Sequence, residues 1–226
     1  MKSLPTSYTA ARKWGIILLL ALASLGAALL SMSFGSTQVP FSEILTALMG
    51  GETQAYNIVV YARLPRTLAA LLCGSALAVG GVIIQGVLGN PLAGPNIIGV
   101  NAGAGLGAVL CAALIPTSMT AVPVAAFLGA LGACMLVYTL ARRTGASRIT
   151  LVLAGVAISS MLSAAIDAVS ILFPEAALGA GSFMVGRLSG VTVAALKVPA
   201  LLSLLAGAGA FAMSYELDLL TLGDEV

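Results

Sequence analysis

The sequence predicts an all-α polytopic membrane protein with about six transmembrane helices. Of its 226 residues, 60% are hydrophobic and only 8% are charged, whereas soluble domains are about half apolar and about a quarter charged. Long, continuously apolar runs rich in Leu and Ala recur along the chain, and a β-barrel would instead show short alternating segments. Because a helical span needs about 20 apolar residues, most of the chain is expected to lie within the bilayer.

The scarce residue types exclude several classes of function. Histidine is absent, which removes imidazole metal ligands, His-based acid-base catalysis and Ser-His triads. Cys73, Cys111 and Cys134 each lie in an apolar run without CxxC spacing, which is typical of small packing residues. Ten basic and eight acidic side chains are too few for a nucleic-acid footprint. We therefore expect no enzyme of the common kinds, no resident cofactor or metal, and no nucleic-acid partner.

The spans are read between charged or Pro/Gly-rich interruptions. They are predicted at residues 14–32, 68–88, 97–114, 120–141, 149–173 and 196–213. The first could be taken for a signal peptide, but its apolar stretch exceeds the roughly 7 to 15 residues of a typical h-region and further spans follow. An uncleaved first helix is therefore favoured.

Basic residues predict the orientation of the spans. Two groups of three flank the spans, namely Lys2, Arg12 and Lys13 before the first, and Arg142, Arg143 and Arg148 after the fourth. The positive-inside rule puts both groups in the cytoplasm, so residues 1–13 form a cytoplasmic N-terminus and both ends of the chain lie inside. Four basic residues then fall outside, namely Arg63, Arg66, Arg187 and Lys197.

Two connections on the predicted outer side are too long for tight turns. Residues 34–62 are expected to form an external loop with a short helix at 39–49, for which Ser42 is the predicted N-cap. Residues 174–190, which begin with Pro174 and Glu175, are expected to form a second external helix. The two segments could together make an external platform.

Small residues recur at helical spacing in two of the spans. Gly99, Gly103 and Gly107 stand four apart, and Gly155, Ser159 and Ser163 do the same. Such stripes let helix backbones approach closely, so tight helix packing is the favoured interpretation. The alternative is that the stripe from Gly99 to Gly107 lines a translocation path.

A helix break is predicted directly after the second span. Gln85 lies near the end of that span, and Asn90, Pro91 and Pro95 follow among glycines, where a helix cannot easily continue. At membrane depth, irregular backbone is tolerated only when it is buried in protein or lies beside a water-filled cavity. A plain cytoplasmic turn is equally compatible with these residues.

Asp167 is the only carboxylate inside a predicted span. An intramembrane acid is by default a candidate for an ion or proton site. It lies 19 residues beyond Arg148, about 28 Å along a helix, which is close to the outer interface. A hydrated interfacial aspartate is therefore the favoured interpretation.

Arg63 and Arg66 flank Leu64 and Pro65 directly before the second span. The proline fits the first turn of a helix, and the two guanidinium groups are then expected at the outer membrane surface. They could simply anchor the span at the interface. Alternatively they could form a docking site for carboxylates of an external partner, because arginine binds carboxylates in a bidentate manner.

Residues 63–81, followed by Gln85, residues 90–93, Pro95 and the glycines from 99 to 107, closely resemble the signature region of iron-siderophore, haem and cobalamin importer permeases. The order and spacing agree over about 45 residues, and weaker agreement continues to residue 226. The resemblance implies the N-terminal part of a ten-helix type II ABC-importer permease. In that family two permease subunits enclose a central path, and a periplasmic or lipid-anchored substrate-binding protein delivers the ferric chelate.

The same resemblance implies roles for particular residues. Arg63 and Arg66 match arginines that receive acidic residues of the binding protein. Residues 214–226 match the start of a cytoplasmic segment that contacts the ATPase, in which Leu222, Gly223, Asp224 and Glu225 carry the pattern. Because the chain has no Walker motif, ATP hydrolysis is expected in separate cytoplasmic subunits.

The expected function is therefore a permease subunit of an ATP-driven importer for ferric siderophore, haem or cobalamin in the bacterial inner membrane. Members of this family have about ten spans, whereas about six are predicted here. We expect the 226 residues alone not to complete the ATPase contact. Two alternatives stay open: an ion-coupled secondary transporter with Asp167 as the coupling acid, and a non-transporting fragment of a permease.

The predicted topology can be tested by cysteine labelling. Single cysteines at Ser42, Glu52 and Arg143 are introduced into a background that lacks Cys73, Cys111 and Cys134. A membrane-impermeant maleimide should label positions 42 and 52 in intact cells, and position 143 only after permeabilisation, because basic loops remain inside. Labelling of position 143 in intact cells would show that the orientation is reversed.

Overall fold

The structure is a computed structural model that describes residues 10–35, 37–51, 53–118, 120–145 and 147–221. Throughout these ranges the regular backbone is helical, which confirms the predicted all-α class. The elements are α1 Ala10–Ser33, α2 Phe41–Leu48, a π-helical segment Ile58–Arg63, α3 Leu64–Leu88, a 3₁₀ turn Pro95–Ile98, α4 Val100–Leu114, α5 Ala121–Arg143, α6 Arg148–Leu172, α7 Pro174–Met184, α8 Val193–Ala212 and α9 Ser214–Thr221.

Five helical segments of the described chain are long and apolar enough to cross a membrane. They are Ala11–Ser33, Ile58–Leu88, Ala121–Arg143, Arg148–Leu172 and Val193–Ala212. The remaining predicted span corresponds to α4, which is apolar but has only 15 residues. It is shorter than predicted because residues 97 and 98 belong to the 3₁₀ turn that precedes it.

The chain divides into two compact units. The first contains the described residues up to Cys73 together with Leu188–Leu201, and the second contains Gly74–Arg187 with the described residues from Leu202 onward. In the first unit, α2 packs near the end of α1 and the π-helical segment. Their shared core consists of Met32, Val39, Ile44, Ala47, Ala55 and Val59.

The predicted cap of the short helix is wrong. Helix α2 begins at Phe41, and Pro40 takes the N-cap position with extended backbone and no side-chain cap. Ser42 is thus already inside the first turn, where its carbonyl oxygen accepts a hydrogen bond from Thr46 Oγ1 at 2.9 Å. Since the helix starts at Phe41, Ser42 is its second residue and does not occupy the N-cap position from which a hydroxyl caps the first turn.

The second unit is built around α4, which packs against α5, α6 and α7. Ala108, Val109, Ala126, Ile166 and Ala180 form its buried core. These side chains are mostly small, so the helix axes lie close together and backbone atoms meet directly. Helix α7 lies within the segment predicted as an external helix, although the side of the membrane on which it lies stays a prediction.

Glycine makes the contact between α4 and α5 possible. A Cβ atom at Gly103 would overlap the carbonyl oxygen of Gly129 and lie 2.5 Å from Cβ of Ala133. A Cβ at Gly107 would overlap the carbonyl oxygen of Ala125 in the same way. The obstacles are backbone atoms, which cannot rotate aside, so any larger residue must push the two helices apart.

Gly129→Ala should therefore destabilise the protein by about 1–3 kcal/mol, the usual cost of overpacking a tight core. The matched control is Gly132→Ala on the same helix, where a Cβ meets no described atom within 4 Å. Thermal unfolding in detergent can be followed by exposure of the buried Cys111 thiol to a fluorogenic maleimide, with Cys73 and Cys134 replaced. Equal melting temperatures for the two variants would contradict the close backbone contact.

Candidate functional site

Arg63 and Arg66 are close in the sequence, but the structure gives them different surroundings: Arg63 is buried and Arg66 is exposed. Arg63 is the last residue of the π-helical segment and is only 8% exposed. Its Nη1 donates hydrogen bonds to the carbonyl oxygens of Met32 at 2.6 Å and Ser33 at 2.9 Å, and its Nη2 donates to the carbonyl of Thr37. Arg63 therefore closes the C-terminal end of α1, where helix carbonyls lack intrahelical partners.

The surroundings of Arg63 are fitted to its guanidinium group. A Cβ at Gly35 would lie 3.0 Å from Nη2 of Arg63, so glycine leaves the room that the side chain occupies. Nearby, the Ser31 and Thr67 hydroxyls are 3.0 Å apart and form a second polar link between α1 and α3. Hydrogen bonds of Arg63 and Thr67 therefore fix the start of α3 to the end of α1.

Arg66 lies one helical turn further on and is exposed. It lines a cavity of about 450 Å³ in the first unit. The buried residue Arg63 lines the same cavity. Exposed aromatic rings of Phe34 and Tyr61 and the turn that contains Ser189 complete much of the wall. Of the predicted docking pair, Arg66 is the member that presents its side chain to the surface.

The predicted helix break is present in the second unit. Helix α3 ends at Leu88, Gly89 has a φ of 59°, and the Asn90 side chain accepts a hydrogen bond from the backbone N–H of Leu92 at 2.9 Å. The 3₁₀ turn then leads to Gly99, whose φ of 78° starts α4. Such a positive φ is readily adopted by glycine and costs energy with most other residues.

The structure places the residues of this break in different surroundings. Gln85 and Pro95 are half-buried, whereas Asn90 and Pro91 are exposed. Gly99 is buried near Ser159 of α6 and Val137 of α5.

The break is packed against α6 through Gly155. A Cβ at Gly155 would overlap the carbonyl oxygen of Ile97, so the 3₁₀ turn rests directly on the α6 backbone. Gly155 and Ser159 of the predicted small-residue stripe thus carry this contact, while Ser163 is exposed. Gly103 and Gly107 serve the packing of α4 on α5, and their role as a path lining stays a prediction.

One contact was missed by sequence reasoning. Ser147 caps α6 by accepting a hydrogen bond from the N–H of Thr150, and Arg148 then donates from Nη2 to the carbonyl oxygen of Leu220 at 3.0 Å. The Arg148 guanidinium also occupies the space that a Cβ at Gly89 would need. The sequence signal was the glycine directly after α3, but it does not identify an arginine some 60 residues away.

Leu222, Gly223, Asp224 and Glu225, the predicted ATPase contact, lie outside the described residues.

Asp167 is exposed on α6, five residues before that helix ends at Leu172. An exposed carboxylate near a helix end fits the interfacial interpretation. In contrast, a coupling acid would be expected to face the interior of the helix bundle. The structure therefore adds no support for an ion site at this residue.

These features define a polytopic α-helical membrane protein in which an interrupted helix packs against glycine-rich helices. The sequence profile of the FecCD transport family matches residues 18–226. The chain therefore belongs to the FecCD transport family.

Individual relatives agree with this assignment. The chain is 36% identical to the Fe(3+) dicitrate transport permease FecD of Escherichia coli K12 over 94% of its length. It is 38% identical to the ferric enterobactin permease FepD of the same organism over 93% of its length. It spans 66% and 63% of those two proteins, just under two thirds of their lengths. A solved inward-facing ABC transporter of the metal-chelate type superposes with a TM-score of 0.76 at 25% identity, covering 93% of this chain and 64% of that one.

Gly99→Ala tests whether the left-handed residue at the start of α4 matters. An alanine with a φ of 78° should cost about 1–2 kcal/mol of unfolding free energy. Gly94→Ala is the control, because Gly94 is extended and a Cβ there meets no described atom within 4 Å. The Cys111 unfolding assay should give a lower melting temperature for Gly99→Ala alone, and equal values would contradict the assigned conformation.

Proposed function

We propose that this chain is a membrane-spanning permease subunit of an ATP-driven importer that carries a ferric siderophore or a related metal chelate such as haem or cobalamin. The observation that carries the proposal is the match to the FecCD transport family over residues 18–226. The relatives named above are described as permeases for ferric dicitrate and ferric enterobactin. Both substrates are iron chelates, so the proposed cargo is of the same chemical class.

The proposed partners follow from the same class of importer. They are cytoplasmic ATP-binding subunits, a second permease subunit and a periplasmic or lipid-anchored substrate-binding protein. The proposed location is the bacterial inner membrane, with the N-terminus and residues 214–226 in the cytoplasm. The exposed guanidinium of Arg66 and its cavity support docking of the binding protein on the opposite side.

The packing of the second unit supports a role in transport. The contacts of α4 with α5, and of the 3₁₀ turn with α6, are made by backbone atoms at glycine positions. Closely packed elements move as one body rather than deforming. We therefore propose that α4, α5 and α6 move together when the ATPase changes state, and that the residues between Gln85 and Gly99 lie beside the translocation path.

Transport by reconstituted proteoliposomes tests the proposal. The full-length product of the permease gene, which includes residues 1–226, is combined with the ATPase and binding protein of its transport system, and ⁵⁵Fe-labelled ferric citrate, ferric catecholate and haem are offered separately. At least one chelate should enter only with ATP and binding protein, and vanadate should stop its entry. Uptake that requires an ion gradient instead of ATP, and is lost in Asp167→Asn, would favour the secondary transporter and refute the proposal.

A further inference from the structure

We propose that Arg148 is a positioning residue that links the turn after α3 to α9, so that these two segments of the second unit move together. Arg148 is the first residue of α6, and its guanidinium contacts Gly89 on one side and Leu220 on the other. These contacts are called the Arg148 link. Its consequence for transport rests on the proposed function, whereas the link itself can be tested without it.

The turn after α3 has a shape that lets a guanidinium lie on its backbone. The N–H of Gly89 donates to the carbonyl oxygen of Gly86 at 3.3 Å. The N–H of Asn90 donates to the carbonyl oxygen of Gln85 at 3.2 Å. With a φ of 59° at Gly89, this is the Schellman arrangement that ends many helices. A Cβ at Gly89 would overlap Nη1 of Arg148, so glycine serves both the left-handed backbone and the guanidinium.

The other terminal nitrogen of Arg148 holds α9. Nη2 donates a hydrogen bond to the carbonyl oxygen of Leu220 at 3.0 Å, across 72 positions of the sequence. Hydrogen bonds from a charged donor are stronger than those between neutral groups. The contact therefore resists separation of α9 from the start of α6. Because one planar guanidinium makes both contacts, a displacement of Leu220 is passed to Gly89 through a rigid group.

The helix ends around Arg148 enclose a cavity rather than a packed core. The cavity has a volume of about 640 Å³, and its apolar lining includes Val87 and Leu88 of α3, Leu151 of α6 and Leu220 of α9. Within the described residues, α3 and α9 make no extensive direct contact. Closely packed elements move as one body, but elements separated by a cavity do not have to. A long side chain that contacts both segments is therefore needed to make them move together.

The Arg148 link gives α9 a direct effect on the helix break. Residues 214–226 are the expected ATPase contact, and the residues between Gln85 and Gly99 are proposed to lie beside the translocation path. When the ATPase moves α9, Arg148 would move the turn after α3 in the same step. Without Arg148, ATP hydrolysis should continue while less chelate is carried for each ATP.

Spin-label distances test the link in the full-length permease in lipid nanodiscs, without substrate, ATPase or binding protein. Nitroxide labels are attached at Leu92→Cys, after α3, and Tyr215→Cys, in α9, in a background without native cysteines. These positions are 90% and 71% exposed, so the labels should not disturb packing. Double electron–electron resonance should give a narrow distance distribution with Arg148 present and a broader one with Arg148→Gln. An equally narrow distribution in Arg148→Gln would overturn the inference.

Gly89→Asn tests the same contact from the other side. Asparagine tolerates a left-handed backbone, but its Cβ must displace the Arg148 guanidinium. The distribution should broaden as in Arg148→Gln, and the double variant should be no broader, because both changes remove one contact. Gly186→Asn is the matched control, since Gly186 has a φ of 72° and a Cβ there meets no described atom within 4 Å. Additive broadening, or an equal effect of Gly186→Asn, would contradict the link.

Transport separates coupling from stability. In proteoliposomes of the complete transporter, Arg148→Gln should raise the ATP hydrolysed per chelate imported by about threefold. The basal ATPase rate should stay as in the wild type, and Arg148→Lys, which keeps a donor for Leu220, should give an intermediate ratio. Arg143→Gln, which removes an exposed charge at the end of α5, is the control and should leave the ratio unchanged.

Two outcomes would contradict different statements. If Arg148→Gln lowers uptake, ATPase rate and melting temperature together at an unchanged ratio, Arg148 is merely structural and its role in coupling is wrong. If the wild-type transporter imports no chelate with ATP, the proposed function fails, and the spin-label distances still decide whether Arg148 links α9 to the turn after α3.

Discussion

Backbone carbonyl groups in the last turn of a helix lack intrahelical partners and need hydrogen-bond donors from elsewhere. The end of α1 meets this requirement with Arg63, which donates to Met32, Ser33 and Thr37. At the other end of the sequence, Arg148 donates to the carbonyl oxygen of Leu220. A chain with very few charges thus uses two of them to close backbone ends, and these contacts hold together segments that are distant in sequence.

Glycine residues leave the space in which these polar groups make their contacts. Where a guanidinium or a backbone oxygen must enter, a glycine leaves out its Cβ: Gly35 for Arg63, Gly89 for Arg148, and Gly155 for the carbonyl oxygen of Ile97. The contacts are therefore specified by pairs, one residue with a polar group and one without a side chain. At Gly155 the neighbouring atom belongs to the main chain and cannot rotate aside, so a larger residue there must displace the 3₁₀ turn or α6.

The sequence predicted the membrane class, the approximate spans and the break after α3, because each rests on local composition. The bounds were less accurate. The second span was predicted from residue 68 because Arg63 and Arg66 look like a polar end, yet helical backbone runs from Ile58 to Leu88. Burial of Arg63 could not be predicted, since its acceptors are main-chain oxygens about 30 residues away that leave no trace in residue types. The predicted Ser42 cap was wrong because α2 begins at Phe41, so that Pro40 and not Ser42 takes the N-cap position.

Arg63 and Arg66 lie on either side of the junction between the π-helical segment and α3, and their surroundings differ. The wider turn of the π-helical segment changes the angle at which side chains leave the helix, compared with the regular turns of α3 that follow. Arg63 ends that segment and Arg66 lies in the first turn of α3, so the change of geometry falls between them. A lysine at position 63 would have one compact ammonium group instead of a planar guanidinium. It could not donate to the carbonyl oxygens of Met32, Ser33 and Thr37 together. Identical residue types thus perform different work because the backbone, rather than the side-chain chemistry, decides which one is buried.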